Sequence, residues 1–177
     1  MITEILNNIL SIFQGYEKLV LAILLTIAPI TELRAGLPLA MNYAFETGVP
    51  VLLIFFLIVL VNILMIFVLF FFLDHLHEFM VHHIKSYRKI FNHWFNKARK
   101  KADKLEAKHG TVGFLALMLF VAVPLPGTGA WTGCLVAWLL GLERKRSILA
   151  ISAGVFIAGL IIFLGIISGR SLFLNFL

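Results

Sequence analysis

One segment, Val49–Leu73, limits most strongly what this chain can fold into. It contains no charged residue, and Asn62 is its only clearly polar side chain. About 20 residues of helix cross the ~30 Å hydrocarbon layer of a bilayer, so this segment is predicted to be a membrane-spanning helix. A second charge-free segment, Ile148–Ser168, meets the same requirement. Apolar residues make up 61% of the chain, whereas soluble domains contain about 45–50%. The sequence therefore predicts an all-α integral membrane protein.

Two other apolar runs are interrupted by residues that break helices. The motif PITELRAGLP, 29–38, interrupts the first run and places Glu32 and Arg34 near its middle. The motif PLPGTGAWTG, 124–133, interrupts the second. Proline lacks an N–H group and disfavours helix in the residue before it. Irregular backbone is tolerated at membrane depth only where protein buries it or where it lines a wet cavity. Each run is therefore predicted to be a re-entrant hairpin of two half-helices, broken at Pro29–Pro38 and at Pro124–Trp131.

The two halves of the chain correspond to each other. The shift that brings Pro29 onto Pro124 also brings ELRAG onto GTGAW and aligns the two predicted spanning helices. Paired segments interrupted by Gly or Pro indicate the binding site of many transporters. The chain is therefore predicted to contain a repeat, in which each unit is a hairpin followed by a spanning helix.

Basic residues predict the orientation of this repeat. Residues 74–110 contain nine Lys or Arg and four Asp or Glu, and Arg144–Arg146 is a second basic cluster. Short basic loops favour the cytoplasmic side, which places both clusters inside and both termini outside. The two hairpins then enter from opposite faces, so the repeat is inverted. Apolar side chains at three- and four-residue steps predict that 74–110 is an amphipathic helix on anionic lipid.

These patterns divide the chain into five parts. We predict a multi-pass protein of the cell (inner or plasma) membrane, and a frayed leader is the alternative for its first part. The parts are an interfacial amphipathic helix 1–17, repeat 1 at 18–73 (hairpin 19–45, spanning helix 49–73), a basic cytoplasmic helix 74–110, repeat 2 at 111–169 (hairpin 111–142, spanning helix 148–168) and a tail 170–177.

The candidate binding residues lie in the two interrupting motifs. Ionisable side chains inside a membrane are usually functional. The guanidinium of Arg34 is suited to bind a phosphate or carboxylate, and Glu32 could act as its counter-ion or carry a proton. A purely structural ion pair is the alternative. The second motif offers backbone, a hydroxyl and an indole instead of charge. The predicted substrate-binding residues are Glu32, Arg34, Gly36, Pro38, Pro124, Pro126, Gly127, Thr128, Gly129 and Trp131.

Other functional classes have little support in the sequence. No Walker loop, H-E-x-x-H motif or G-x-S-x-G motif is present, so neither an enzyme nor a cofactor is predicted. His75, Glu78 and His82 share one helical face that could bind a metal, but surface histidines explain them better, and no metal site is predicted. Anionic lipid explains the basic run better than nucleic acid does.

The motif ELRAGLP, followed later by PLPGTGAW, resembles the family of small multi-drug export proteins. That family is similar to the wider DedA and VTT-domain superfamily. The resemblance implies two opposed re-entrant hairpins with spanning helices, use of the proton-motive force, and translocation of polyprenyl-phosphate or phospholipid carriers. It also implies that Glu32 and Arg34 serve transport. PLPGTGAW departs from the DedA pattern, because DedA relatives carry an arginine-containing motif there.

We therefore expect a transporter that moves a lipid-linked or amphipathic anion of the polyprenyl-phosphate or phospholipid type. A proton-coupled exporter of small hydrophobic drugs is one alternative, and a non-transporting membrane-biogenesis factor is another. The expected partners are membrane lipids, a lipid phosphate or amphipathic small molecule, and protons, with no nucleic acid. Because short hairpins need shielding from lipid, a homodimer is also expected.

Overall fold

A computed structural model describes residues 15–83, 111–125 and 127–175. Most of the predicted interfacial helix, most of the predicted basic helix and Pro126 lie outside these residues. Within them the chain forms six helices and no strand, which confirms the all-helical class for the part described. The helices are α1 (Glu17–Ile27), α2 (Glu32–Thr47), α3 (Val51–His83), α4 (Thr111–Ala122), α5 (Ala130–Leu140) and α6 (Arg144–Asn175).

Two of these helices are long and apolar enough to cross a membrane. The qualifying stretches are Val51–Leu76 of α3 and Arg144–Leu172 of α6. Helix α3 continues without a break into residues 74–83, at the start of the predicted basic segment. Large apolar side chains of α3 are more than half exposed. Exposure of so large an apolar surface is unfavourable in water but not in lipid. They include Leu52, Phe56, Leu60, Leu64, Phe67 and Phe71.

Helices α1 and α2 form the first hairpin around a turn at Ala28–Thr31. They contain 11 and 16 residues, fewer than the ~20 that a full crossing needs. At the open end Lys18 forms an ion pair with Glu46. Nearer the turn α2 contacts α1 at Gly36, where a Cβ atom would lie 1.9 Å from Oγ1 of Thr26 and 2.7 Å from the carbonyl oxygen of Ala22. The two helices pack closely because residue 36 has no side chain.

The predicted break at Pro29–Pro38 is wrong in its extent. Helix α2 begins at Glu32 and continues through Pro38. Pro38 lacks the N–H that would bond to the carbonyl of Arg34, and an interior proline costs about 3 kcal/mol or more. Leu37 and Met41 are fully buried on either side of it, and we attribute the continued helix to this burial. Only Ala28–Thr31 is non-helical, so Glu32 and Arg34 belong to the first turn of a helix.

Helices α4 and α5 form the second hairpin, with the connection at 123–129 between them. Near this connection α5 approaches α4 closely, because a Cβ atom on Gly133 would lie 2.8 Å from Cγ2 of Val121. Within the connection the Thr128 hydroxyl lies 2.7 Å from the carbonyl oxygen of Val123 and 2.8 Å from that of Leu125. These bonds fold the connection into a compact tip.

Contacts between hairpins and long helices occur at both ends of the long helices. At the first end the guanidinium of Arg170 in α6 lies 4.1 Å from the ring centre of Phe45 in α2. At the second end the Asp74 carboxylate of α3 accepts bonds from Nη2 of Arg144, at 2.7 Å, and from Nε1 of Trp138, at 2.9 Å. The first hairpin therefore opens at one end of the long helices, and α5 ends at the other.

The close contact at Gly36 gives a test of the first hairpin. We expect Gly36→Ala to lower the free energy of unfolding by about 1–3 kcal/mol, because the added methyl group meets the backbone of α1. The measurement is thermal unfolding in detergent. Gly165→Ala in α6 is the matched control, since a Cβ atom there meets nothing within 4 Å. Equal melting temperatures for the two variants would contradict the packing described.

Candidate functional site: the contact between the two hairpin tips

The carboxylate of Glu32 lies on the N-terminus of α5. Its Oε2 accepts the backbone N–H of Ala130 at 3.0 Å, and its Oε1 accepts that of Trp131, also at 3.0 Å. The first N–H groups of a helix have no partner inside the helix, and its dipole favours an anion there. Gly129 precedes the helix and provides no side-chain cap. Glu32, which is only 3% exposed, therefore caps a helix of the other hairpin.

The backbone at Glu32 adopts an unusual conformation. Its φ of 45° is the one positive value at a non-glycine residue in the described part of the chain. Such a conformation costs roughly 1–3 kcal/mol and persists only where surrounding contacts hold it. The two bonds from α5 are contacts of this kind. The strain therefore depends on the second hairpin being in place.

Gly129 allows the carboxylate to reach α5. A Cβ atom at this position would lie 1.6 Å from Oε2 of Glu32 and 2.3 Å from its carboxyl carbon. The group that approaches the backbone here is the Glu32 carboxylate. Any side chain at 129 would displace it.

The Arg34 side chain lies between the two tips. Its Nη1 is 3.4 Å from Oε2 of Glu32, and its Nη2 donates to Oγ1 of Thr128 at 2.9 Å. A longer contact of 3.4 Å joins Nη2 to the carbonyl oxygen of Val123. Nε of Arg34 is buried and has no hydrogen-bond partner among the described residues. One cation thus contacts both hairpins while retaining an unused donor.

Trp131 adds a hydrogen bond from the second hairpin to the first. Its Nε1 donates to the carbonyl oxygen of Ile27, the last residue of α1, at 3.0 Å. The final carbonyl groups of a helix also lack partners within the helix. The first hairpin therefore satisfies the N-terminus of α5, and the second satisfies the C-terminus of α1.

A cavity of ≈ 10 Å³, measured as the space open to the centre of a water molecule, lies beside this contact. Glu32, Arg34, Gly129 and Ala130 line it from the tips, Asn62 lines it from α3, and Val155 and Ala158 line it from α6. Asn62 lies near the middle of Val51–Leu76, and Ala158 lies near the middle of Arg144–Leu172. The tips therefore meet at mid-height on both long helices.

The structure gathers part of the predicted set of binding residues. Glu32, Arg34, Thr128, Gly129 and Trp131 form the contact between tips. Gly36 packs against α1 instead, and Pro38 lies six residues along α2, about 9 Å from Glu32 at 1.5 Å per residue. Pro124 and Gly127 belong to the connection, where Gly127 has a φ of 84°, and Pro126 lies outside the described residues. A role of these residues in substrate binding stays a prediction.

Asn62 is a residue that the predicted set missed. Its side chain lines the cavity and is 2% exposed. The available signal was its position as the one polar side chain near the middle of an apolar span. Hydropathy alone does not show which face of the span it occupies, and only the packing of α3 against both tips does.

A sequence model of the family described as "Putative small multi-drug export protein" matches residues 32–161. The chain belongs to this family. The matched region begins at Glu32 and includes α2, α3 and the connection at 123–129. The family description names an export protein, and the two apolar helices are consistent with a membrane protein of this kind. No curated protein and no solved structure matches the chain. Its predicted relation to the DedA and VTT-domain superfamily stays a prediction.

The position of the Glu32 carboxylate is tested by Gly129→Ala. The added methyl group displaces the carboxylate, which leaves the buried N–H of Ala130 and the half-buried N–H of Trp131 without acceptors, at a cost of about 1–3 kcal/mol. We expect a lower melting temperature and faster hydrogen exchange at the amides of Ala130 and Trp131. Gly113→Ala, where a Cβ atom meets nothing within 4 Å, is the control. Unchanged exchange at the start of α5 would contradict the cap.

Proposed function

We propose that this member of the family is a transporter of an amphipathic anion, such as a polyprenyl phosphate or a phospholipid, whose head group binds where the hairpin tips meet. The observation that carries the proposal is the Glu32 carboxylate on the N-terminus of α5. A helix N-terminus beside a guanidinium suits a phosphate or carboxylate of any origin. The Glu32 carboxylate occupies this position at the N-terminus of α5. The anionic group of a substrate needs the same partners, which are backbone N–H donors and a nearby positive charge.

We also propose that both hairpins are re-entrant and that the two halves form an inverted repeat. Three observations support this arrangement. Each helix of the hairpins is too short to cross a bilayer alone. The first hairpin opens beside the C-terminal part of α6, whereas α5 ends beside the start of α6. The tips meet at mid-height on α3 and α6.

In this proposal Glu32 holds the site when no substrate is bound. A substrate anion competes with its carboxylate for the N–H groups of Ala130 and Trp131 and pairs with Arg34. A proton on Glu32 would remove the charge that attracts it to α5 and to Arg34, and would weaken both N–H bonds. Proton binding and anion binding would then favour the same displaced state of Glu32. Coupling between a proton and an anion follows from that shared state.

Head-group translocation in liposomes tests the role of Arg34. We expect Arg34→Ala to reduce the translocation of fluorescent phospholipid and polyprenyl-phosphate probes roughly tenfold or more, because charge-assisted hydrogen bonds contribute about 1.5–3 kcal/mol. Arg170→Ala is the matched control, since Arg170 lies over Phe45 and away from the tips. Translocation by Arg34→Ala at the rate of the control would refute anion transport through this site.

The family description names multi-drug export, which supports an exporter of drugs as a second candidate. We propose as its form a proton-coupled exporter of small hydrophobic drugs that are cations. Glu32 would then bind the drug cation and release its proton. This candidate predicts that adding drug to liposomes releases protons from the wild type and from Glu46→Gln, but not from Glu32→Gln. Release that is equal in all three would refute it. Absence of both fluxes, together with a co-purifying protein, would favour the membrane-biogenesis alternative.

The re-entrant arrangement is tested by cysteine labelling in a Cys134→Ser background. We expect cysteines at Glu17 and Thr47, the two ends of the first hairpin, to react with an impermeant reagent from the outer face. Cysteines at Thr111 and Glu143, on either side of the second hairpin, should react from the cytoplasmic face. Labelling of positions 17 and 47 from opposite faces would show that the first hairpin crosses the membrane.

The proposed assembly is a homodimer. Ile30 in the first tip is 81% exposed at a depth where its surroundings are lipid or protein. A second copy of the chain would shield the short hairpins from lipid. Cross-linking in native membranes tests this proposal, and detection of the monomer alone would refute it.

A further inference from the structure

Asn62 is buried at the depth of the tip contact. Its side chain is 2% exposed and lines the cavity between the long helices and the tips. A buried amide costs free energy unless it is hydrogen-bonded, and in a membrane span bulk water does not supply the partner. The cavity is therefore a place where a polar group can bind this amide.

An unused hydrogen-bond donor belongs to another residue that lines the same cavity. Nε of Arg34 is a buried donor without a partner among the described residues, and Arg34 also lines this space. The cavity of ≈ 10 Å³ is close to the space that one water requires. A buried donor without a partner and a buried amide, on two residues that line a space of this size, indicate a binding site for a small polar group. The amide of asparagine both donates and accepts, so it suits a water as well as an anionic oxygen.

We propose that Asn62 and Nε of Arg34 together bind one small oxygen-bearing group. When no substrate is bound, this group would be a water. In the loaded state it is an oxygen of the anionic head group, which accepts from the Arg34 Nε–H and from the Asn62 amide. The second part rests on the proposed anion transport. Asn62 is uncharged, so it orients the head group by hydrogen bonding, whereas Arg34 supplies the attraction.

Binding of phosphate probes by purified protein in neutral detergent tests the proposal. The probes are dodecyl phosphate and inorganic phosphate, and the readout is the concentration that gives half of the maximal thermal stabilisation. We expect Asn62→Leu to need about tenfold more dodecyl phosphate than the wild type, because the variant loses one hydrogen bond to the phosphate group. Asn62→Asp should bind worse still, because it adds a negative charge beside Glu32. Stabilisation by dodecyl phosphate alone would assign the site to a lipid, and stabilisation by both probes to the phosphate group itself.

Thr26→Val is the matched control. Thr26 is 1% exposed and its hydroxyl donates to the carbonyl oxygen of Ala22 in its own helix, so this variant also removes a buried polar group without changing the shape. It should bind dodecyl phosphate like the wild type. Equal half-maximal concentrations for Asn62→Leu and the wild type would overturn the proposal. Asn62→Ala replaces Asn62→Leu if the larger side chain prevents folding.

A double-mutant cycle separates this inference from the proposed function. Lysine has no Nε–H donor at the arginine position, so the shift in melting temperature caused by Asn62→Leu should be smaller in an Arg34→Lys background. If neither phosphate probe stabilises the wild type, the proposed anion transport is refuted. A smaller melting-temperature shift for Asn62→Leu in the Arg34→Lys background would still support a water bound by both Asn62 and Arg34. Equal shifts in the two backgrounds would overturn the inference whatever the probes do.

Discussion

The bond between the Glu32 carboxylate and the N-terminus of α5 is the interaction on which the arrangement of the hairpins depends. A helix that ends inside a packed structure leaves backbone groups that need partners from elsewhere in the chain. Glu32 satisfies the N–H groups of Ala130 and Trp131, and the Trp131 indole satisfies the carbonyl of Ile27. Each hairpin therefore satisfies backbone groups at the helix end of the other.

This contact joins two unequal partners. The first hairpin supplies both charges of the contact, Glu32 and Arg34, while the second supplies backbone N–H groups, the Thr128 hydroxyl and the absence of a side chain at Gly129. In the proposed transport, a competing anion or a proton would displace the Glu32 carboxylate from α5. The same geometry that stabilises the closed contact thus provides a means of coupling in the proposed transport. Asn62 adds a neutral group at the side of this contact.

Much of the framework was predictable because hydropathy depends on residues that are close in sequence. The charge-free runs predicted the two long helices, and the two interrupting motifs predicted the positions of the hairpin turns. Pro38 was placed wrongly in the break because the local rule against interior prolines takes no account of the buried neighbours Leu37 and Met41. Asn62 was missed because the sequence of an apolar run does not show which face of the helix packs against the rest of the protein.

The sequence by itself determined that the chain is an all-helical membrane protein of its family, with two apolar spans, two interrupted runs, and Glu32 and Arg34 in the first of these. Only the tertiary structure decided that Glu32 caps α5, that Arg34 contacts Thr128, and that Asn62 lies beside both. The physical reason is the distance along the chain. Composition and periodicity act over a few turns of helix, whereas Glu32 and Trp131 are brought together by the packing of both hairpins against α3 and α6.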